Sequence, residues 1–91
     1  MSARVVWSDG GGEGTLVSVA ADLIVVRSAV PWPPGSRVEA KAYGADGEVT
    51  FRLKVHSSKR DDAGQFLVTG RQLDLSREAR SRLEAMAVAV R

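Results

Sequence analysis

From Glu48 to Ser57 the sequence EVTFRLKVHS changes face at every residue. Val49, Phe51, Leu53 and Val55 alternate with Glu48, Thr50, Arg52, Lys54 and His56. Period two over this length predicts a strand with one buried and one wet face, as in an antiparallel sheet or barrel. Arg37–Tyr43 repeats the pattern, with Val38, Ala40 and Ala42 on one side and Arg37, Glu39 and Lys41 on the other. Arg4–Trp7, Thr15–Val19, Leu23–Ser28 and Gln65–Leu73 are further strand-like runs, which makes six.

The segments between them carry turn chemistry. SDGGGEG, residues 8–14, reads as a glycine-rich loop, and AAD, GADG and SKRDDAG as turns or polar loops. VPWPPG, residues 30–35, holds three prolines. Each lacks a backbone donor, so the segment is an extended corner and neither a helix interior nor a central strand. Past Leu73 the period lengthens: Ala79, Leu83, Met86 and Val90 form one apolar stripe, with Ser76 as N-cap and Glu78 in the first turn. The pattern therefore predicts a mainly β fold ending in one helix, over about 77–90, with the strands in about 4–75.

Length makes this a single domain, 1–91, since a chain of this size buries only about 60–65% of its unfolded surface. With 44% hydrophobic residues there is material for one core, and with no cysteine there is no disulfide or thiolate metal site. MSARVVWSDG has neither a long apolar run nor a small-residue cleavage pattern. No segment approaches the roughly 20 apolar residues that cross a bilayer. The expectation is a cytoplasmic protein without membrane insertion. Ten arginines and three lysines are opposed by eleven acids spread through the same segments, a net charge of +2. That balance speaks against a nucleic-acid surface.

Candidate chemistry is sparse. His56 is the single histidine and falls on the polar side of its strand, with no second metal-ligand residue close in sequence. Asp61 and Asp62 sit in a polar loop and read as turn formers, and no serine has the context of an activated nucleophile. The chain is not expected to be an enzyme or to hold a cofactor or metal.

The order of strands, the PWPPGSRVEA corner, the long alternating strand and the ending FLVTGRQLDLSREARSRLEAM together resemble the PilZ family, over roughly Gly14 to Met86. The resemblance implies a bacterial six-stranded antiparallel β-barrel with one C-terminal α-helix. It also implies a receptor for cyclic di-GMP, bound in that family through R-x-x-x-R ahead of the barrel and [D/N]-x-S-x-x-G at its second and third strands. Arginine forks hold phosphate and guanine edges there, and the glycine admits the ligand to the backbone. Laid on this chain, the second motif falls on Ser18, Ala20 and Leu23, and no two arginines are four apart. The expectation is a PilZ-like barrel that does not bind cyclic di-GMP in the family's way and acts by protein contacts. The resemblance implies motility or signalling systems as the setting. The alternative is a nucleotide receptor with a rearranged site, with Arg4, Arg27 and the glycine loop as contacts.

Met86, Val88 and Val90 leave the last helical turns apolar nearly all round, a possible homodimer contact. Trp32 is expected to plug a barrel end, or else to anchor a partner. Arg52 and Lys54, with His56, Lys41 and Arg37, would line an outer face as a solvated row or an interface rim. Trp7 is expected to cover the barrel.

Overall fold

A computed structural model describes residues 3–8, 12–20, 22–44, 47–73 and 76–89, with side chains of the helix through Met86. Six strands are followed by one helix: β1 (Arg4–Trp7), β2 (Glu13–Ala20), β3 (Leu23–Ser28), β4 (Arg37–Gly44), β5 (Gly47–Arg60), β6 (Phe66–Leu73) and α1 (Arg77–Ala89). The strands close into a barrel in the order β1-β2-β3-β6-β5-β4, and β4 returns to pair with β1. Every neighbouring pair is antiparallel. Closure thus gives each of the six strands a neighbour on both sides.

The alternating positions of β4 and β5 face inward as their pattern predicts. Val38, Ala40 and Ala42 of β4 and Val49, Phe51, Leu53 and Val55 of β5 are all buried. Side-chain sizes interleave across the wall. Trp7 lies opposite Ala40, and Ala40 lies opposite Phe51, so a small residue separates two large aromatic ones. Filling a narrow barrel demands this mixture of large and small. Each fully buried large apolar side chain contributes roughly 1.5–3 kcal/mol.

Two β-bulges set which residues look inward. In β2 the register shifts between Leu16 and Ser18, so Leu16 and Val19 serve the core and Ser18 turns outward opposite Val25. In β5 it shifts between Val55 and Ser57, leaving exposed His56 as the extra residue. Such an insertion bends the strand and re-aims the side chains after it. Ser58 is thereby brought to the proline corner, where its hydroxyl accepts from Trp32 N at 3.0 Å and donates to Trp32 O at 2.8 Å.

Each end of the barrel has its own stopper. At one end Trp7 is not a cover but an interior residue, 2% exposed. Its indole Nε1 donates to the buried hydroxyl of Ser28 at 2.9 Å. That hydroxyl also donates to Val30 O at 2.8 Å and accepts from Val30 N at 3.2 Å. Its one donor and two acceptor positions are thus filled. Trp32 closes over Trp7 edge-to-face, with ring centroids 5.7 Å apart. At the other end α1 packs against β2 and β5, burying Leu83 completely. Ser76 is its N-cap, accepting from Ala79 N at 3.1 Å.

Two boundaries differ from the pattern. β5 runs to Arg60, into what reads as a polar loop, because Ser57–Arg60 pair with Phe66–Thr69, which pair in turn with Val25–Ser28 of β3. β2 begins at Glu13, inside the glycine-rich loop, since Glu13 and Gly14 pair with Val6 and Val5. Neither stretch carries a large apolar side chain, so no alternation marks it.

Candidate interaction surfaces

The positions corresponding to the family's ligand motif do come together. Ser18 and Ala20 lie on the outward side of β2, and Leu23 stands directly opposite Ala20 on β3. The surface they make is a half-buried hydroxyl, a methyl and an isobutyl group. Leu23, 43% exposed, is the one exposed large hydrophobic residue among those described. Of these side chains only Ser18 carries a hydrogen-bonding group for a guanine edge, and none offers charge to a phosphate.

The two fallback arginines also share this side of the barrel. Arg4 lies opposite Thr15, and Thr15 opposite Arg27. Both already have partners. The Arg4 guanidinium covers the Tyr43 ring at 5.2 Å and reaches Glu13 at 3.7 Å. Arg27 pairs with Asp61 at 3.1 Å. Of the glycine loop, Asp9–Gly11 lie outside the described residues.

Asp61 is indeed a turn former. Its Oδ1 accepts from Ala63 N and Gln65 N, both at 2.9 Å, while its other oxygen meets Arg27. Asp62 and His56 are exposed. Among the described residues no three His, Cys, Asp or Glu side chains gather to hold a metal, and no helix is long and apolar enough to cross a membrane.

Of the expected apolar contact surface at the helix tip, the described side chains include only Met86. Met86 is half-buried and turned toward the barrel, its Cγ and Cε standing 3.1 Å from where a Cβ on Gly44 would lie. It belongs to the stopper. The side chain of Val88 and the whole of Val90 lie outside the described residues. Trp32, half-buried against Trp7, likewise belongs to a stopper.

Arg52 and Lys54 are exposed on the outward side of β5. Arg37 lies opposite Lys54, Glu39 opposite Arg52, and Lys41 opposite Thr50. On the other flank Lys54 faces Arg71 and Arg52 faces Leu73. Sequence reasoning placed the β4 and β5 members on one face and missed Arg71, whose place depends on the β5 bulge. Arg71 reaches an acid only at 3.9 Å, to Asp22 at the head of β3. Asp22 also takes Arg80 of α1 at 3.6 Å, which ties the helix to the barrel.

The molecule is thus a closed six-stranded antiparallel β-barrel with one C-terminal helix. Compared with protein-family models, curated proteins and solved structures, the chain matches none of them.

Proposed function

We propose that this chain is a divergent PilZ-like domain that has lost second-messenger binding and works as a non-catalytic adaptor through protein contacts. Its setting would be the cytoplasm of a bacterium, in a motility or signalling system. The observation that carries the reading is the Ala20–Leu23 pair with Ser18 on the outward side of β2 and β3, where the family's ligand contacts would stand. Each lost polar contact costs about 1–3 kcal/mol. A micromolar ligand has only about −8 kcal/mol in all, so the joint loss leaves little. The rigid, closed wall is suited to presenting a surface to another protein.

One observation favours a second reading, a nucleotide receptor with a rearranged site: Arg4 and Arg27 flank Thr15 in one outward row. To bind phosphate they would have to give up Glu13, Tyr43 and Asp61. Isothermal titration of the purified protein with cyclic di-GMP separates the two. The adaptor reading predicts no saturable heat up to high micromolar ligand. Saturable binding that Arg4→Ala abolishes would establish the receptor reading in its place.

A further inference from the structure

We propose that the outward face of β4, β5 and β6, centred on Arg37, Lys54 and Arg71, docks an acidic segment of a partner protein. The inference rests on the adaptor reading and says where the contact is made and with what chemistry. Its basis is the register. Arg37 is directly opposite Lys54, and Lys54 directly opposite Arg71, so one row across three strands carries three cations. The row beside it adds Arg52, and the next adds Lys41.

Like charges placed directly across a sheet are destabilising, and opposite charges there are stabilising. The barrel bears the unfavourable arrangement twice at Lys54. Nor is it relieved from within: among the described residues Arg37, Lys41, Arg52 and Lys54 have no ion pair, and the Arg71–Asp22 contact is long at 3.9 Å. Carboxylates brought by a partner would supply the missing complement, steering association and fixing register. Directly opposed Cβ atoms are about 5 Å apart, so the row spans about 10 Å. That suits successive carboxylates on a helix or strand.

The same face discriminates against nucleic acid. Binding of single strands relies on aromatic platforms for the bases, and the three rows offer none. The nearby ring on the outward side of β4, Tyr43, is covered by Arg4. Glu39 stands among the cations opposite Arg52, a negative position that a basic or polar residue within a partner's segment could meet. Half-buried Leu73 on the other side of Arg52 gives an apolar contact that a side chain can cover.

The test uses the whole chain and a dye-labelled oligoglutamate of about 20 residues, followed by fluorescence anisotropy. The wild type should bind it, more weakly as added salt shortens the screening length. Reversing two charges on the face, Arg37→Glu with Lys54→Glu, should weaken binding at least about tenfold. The matched reversal Lys59→Glu with Arg60→Glu, beginning about 16 Å further along β5, should change it less than about threefold. A thymidine oligonucleotide of equal length should compete less well than unlabelled oligoglutamate. Lys54→Glu alone should raise Tm by a few degrees, because it converts two like-charge pairs into opposite ones.

Absence of wild-type binding, equal loss in the two double variants, tighter oligonucleotide binding, or a lowered Tm for Lys54→Glu would each overturn the proposal. Cyclic di-GMP is titrated separately in the same preparation. Binding of that ligand would defeat the adaptor reading through β2 and β3, whereas the charge reversals report on this face alone.

Discussion

Replacing Trp7 with alanine should cost about 3–5 kcal/mol, the range for removing a large aromatic from a packed core. A domain of this length has only about 5–14 kcal/mol to lose. The loss arises in three places at once. The cavity opens between Ala40 and Ser28, in a wall whose small residue at 40 was matched to the ring. Trp32 loses its edge-to-face partner at 5.7 Å, and the Ser28 hydroxyl loses its indole donor. Urea unfolding should show a midpoint shifted far down, and Tm should fall by roughly 15 °C or more. Trp7→Phe is the milder change, since it keeps one six-membered ring in the core while removing the N–H and the rest of the indole. It should cost less than the alanine variant, about 1–3 kcal/mol. A Trp7→Ala variant within about 1 kcal/mol of wild type would contradict the interior placement, because an exposed indole is the kind whose loss costs so little.

Gly14→Ala should be comparably damaging for the opposite reason. Gly14 pairs with Val5 on one side and Ser28 on the other, where β1, β2 and β3 curl together. A Cβ built there would lie 2.3 Å from the backbone oxygen of Arg27 and 3.1 Å from Val26 Cγ1. The first obstacle is main chain and cannot rotate aside, so β3 must separate from β2. Ordinary overpacking costs about 1–3 kcal/mol, and the expectation is at or above the top of that range. Gly12→Ala is the control. Its φ of +88° disfavours a side chain, but nothing lies within 4 Å of the new atom. It should lose only about 1–2 kcal/mol. Equal stability of Gly14→Ala and wild type in urea would contradict the tight approach of β2 and β3.

These two residues also show how far the sequence could be read. The alternation of Val49, Phe51, Leu53 and Val55 needs only period two, and those side chains are buried as expected. The helix cap at Ser76 is equally local and was equally readable. The roles of Trp7 and Gly14 are not local, because they follow from closure of β1 onto β4 and of β2 onto β3. Nothing in RVVW distinguishes an interior tryptophan from one lying over the outside. The bulges are the other obstacle. LVSV in β2 alternates as though Leu16 and Ser18 shared a face, yet the extra residue sends Leu16 inward and Ser18 outward. In β5 the same device puts Ser58, and not Ser57, against the proline corner.

Of the candidate surfaces, the cations of β4 and β5 were visible as outward positions of two alternating strands. Their concentration was not, because Arg71 joins them only through the register of β6. A chain net charge of +2 conceals such a face by averaging it with Glu13, Asp22, Asp61 and Glu84, each of which pairs with an arginine outside it, though Asp22 also reaches Arg71. Met86 is packed as a member of the apolar stripe that helical spacing marks, and Gly44, by having no side chain, leaves room for it under the barrel end.

The central claim is that contacts are made through β4, β5 and β6 while the outward side of β2 and β3 is silent toward nucleotide. Amide spectra of the nitrogen-labelled protein, titrated first with cyclic di-GMP and then with oligoglutamate, test it residue by residue. The account predicts unmoved resonances for Ser18, Ala20 and Leu23 in the first titration. In the second it predicts progressive shifts centred on Arg37, Lys54 and Arg71. Saturable shifts at Ser18, Ala20 and Leu23 on adding cyclic di-GMP, with Arg37, Lys54 and Arg71 unmoved by oligoglutamate, would contradict it.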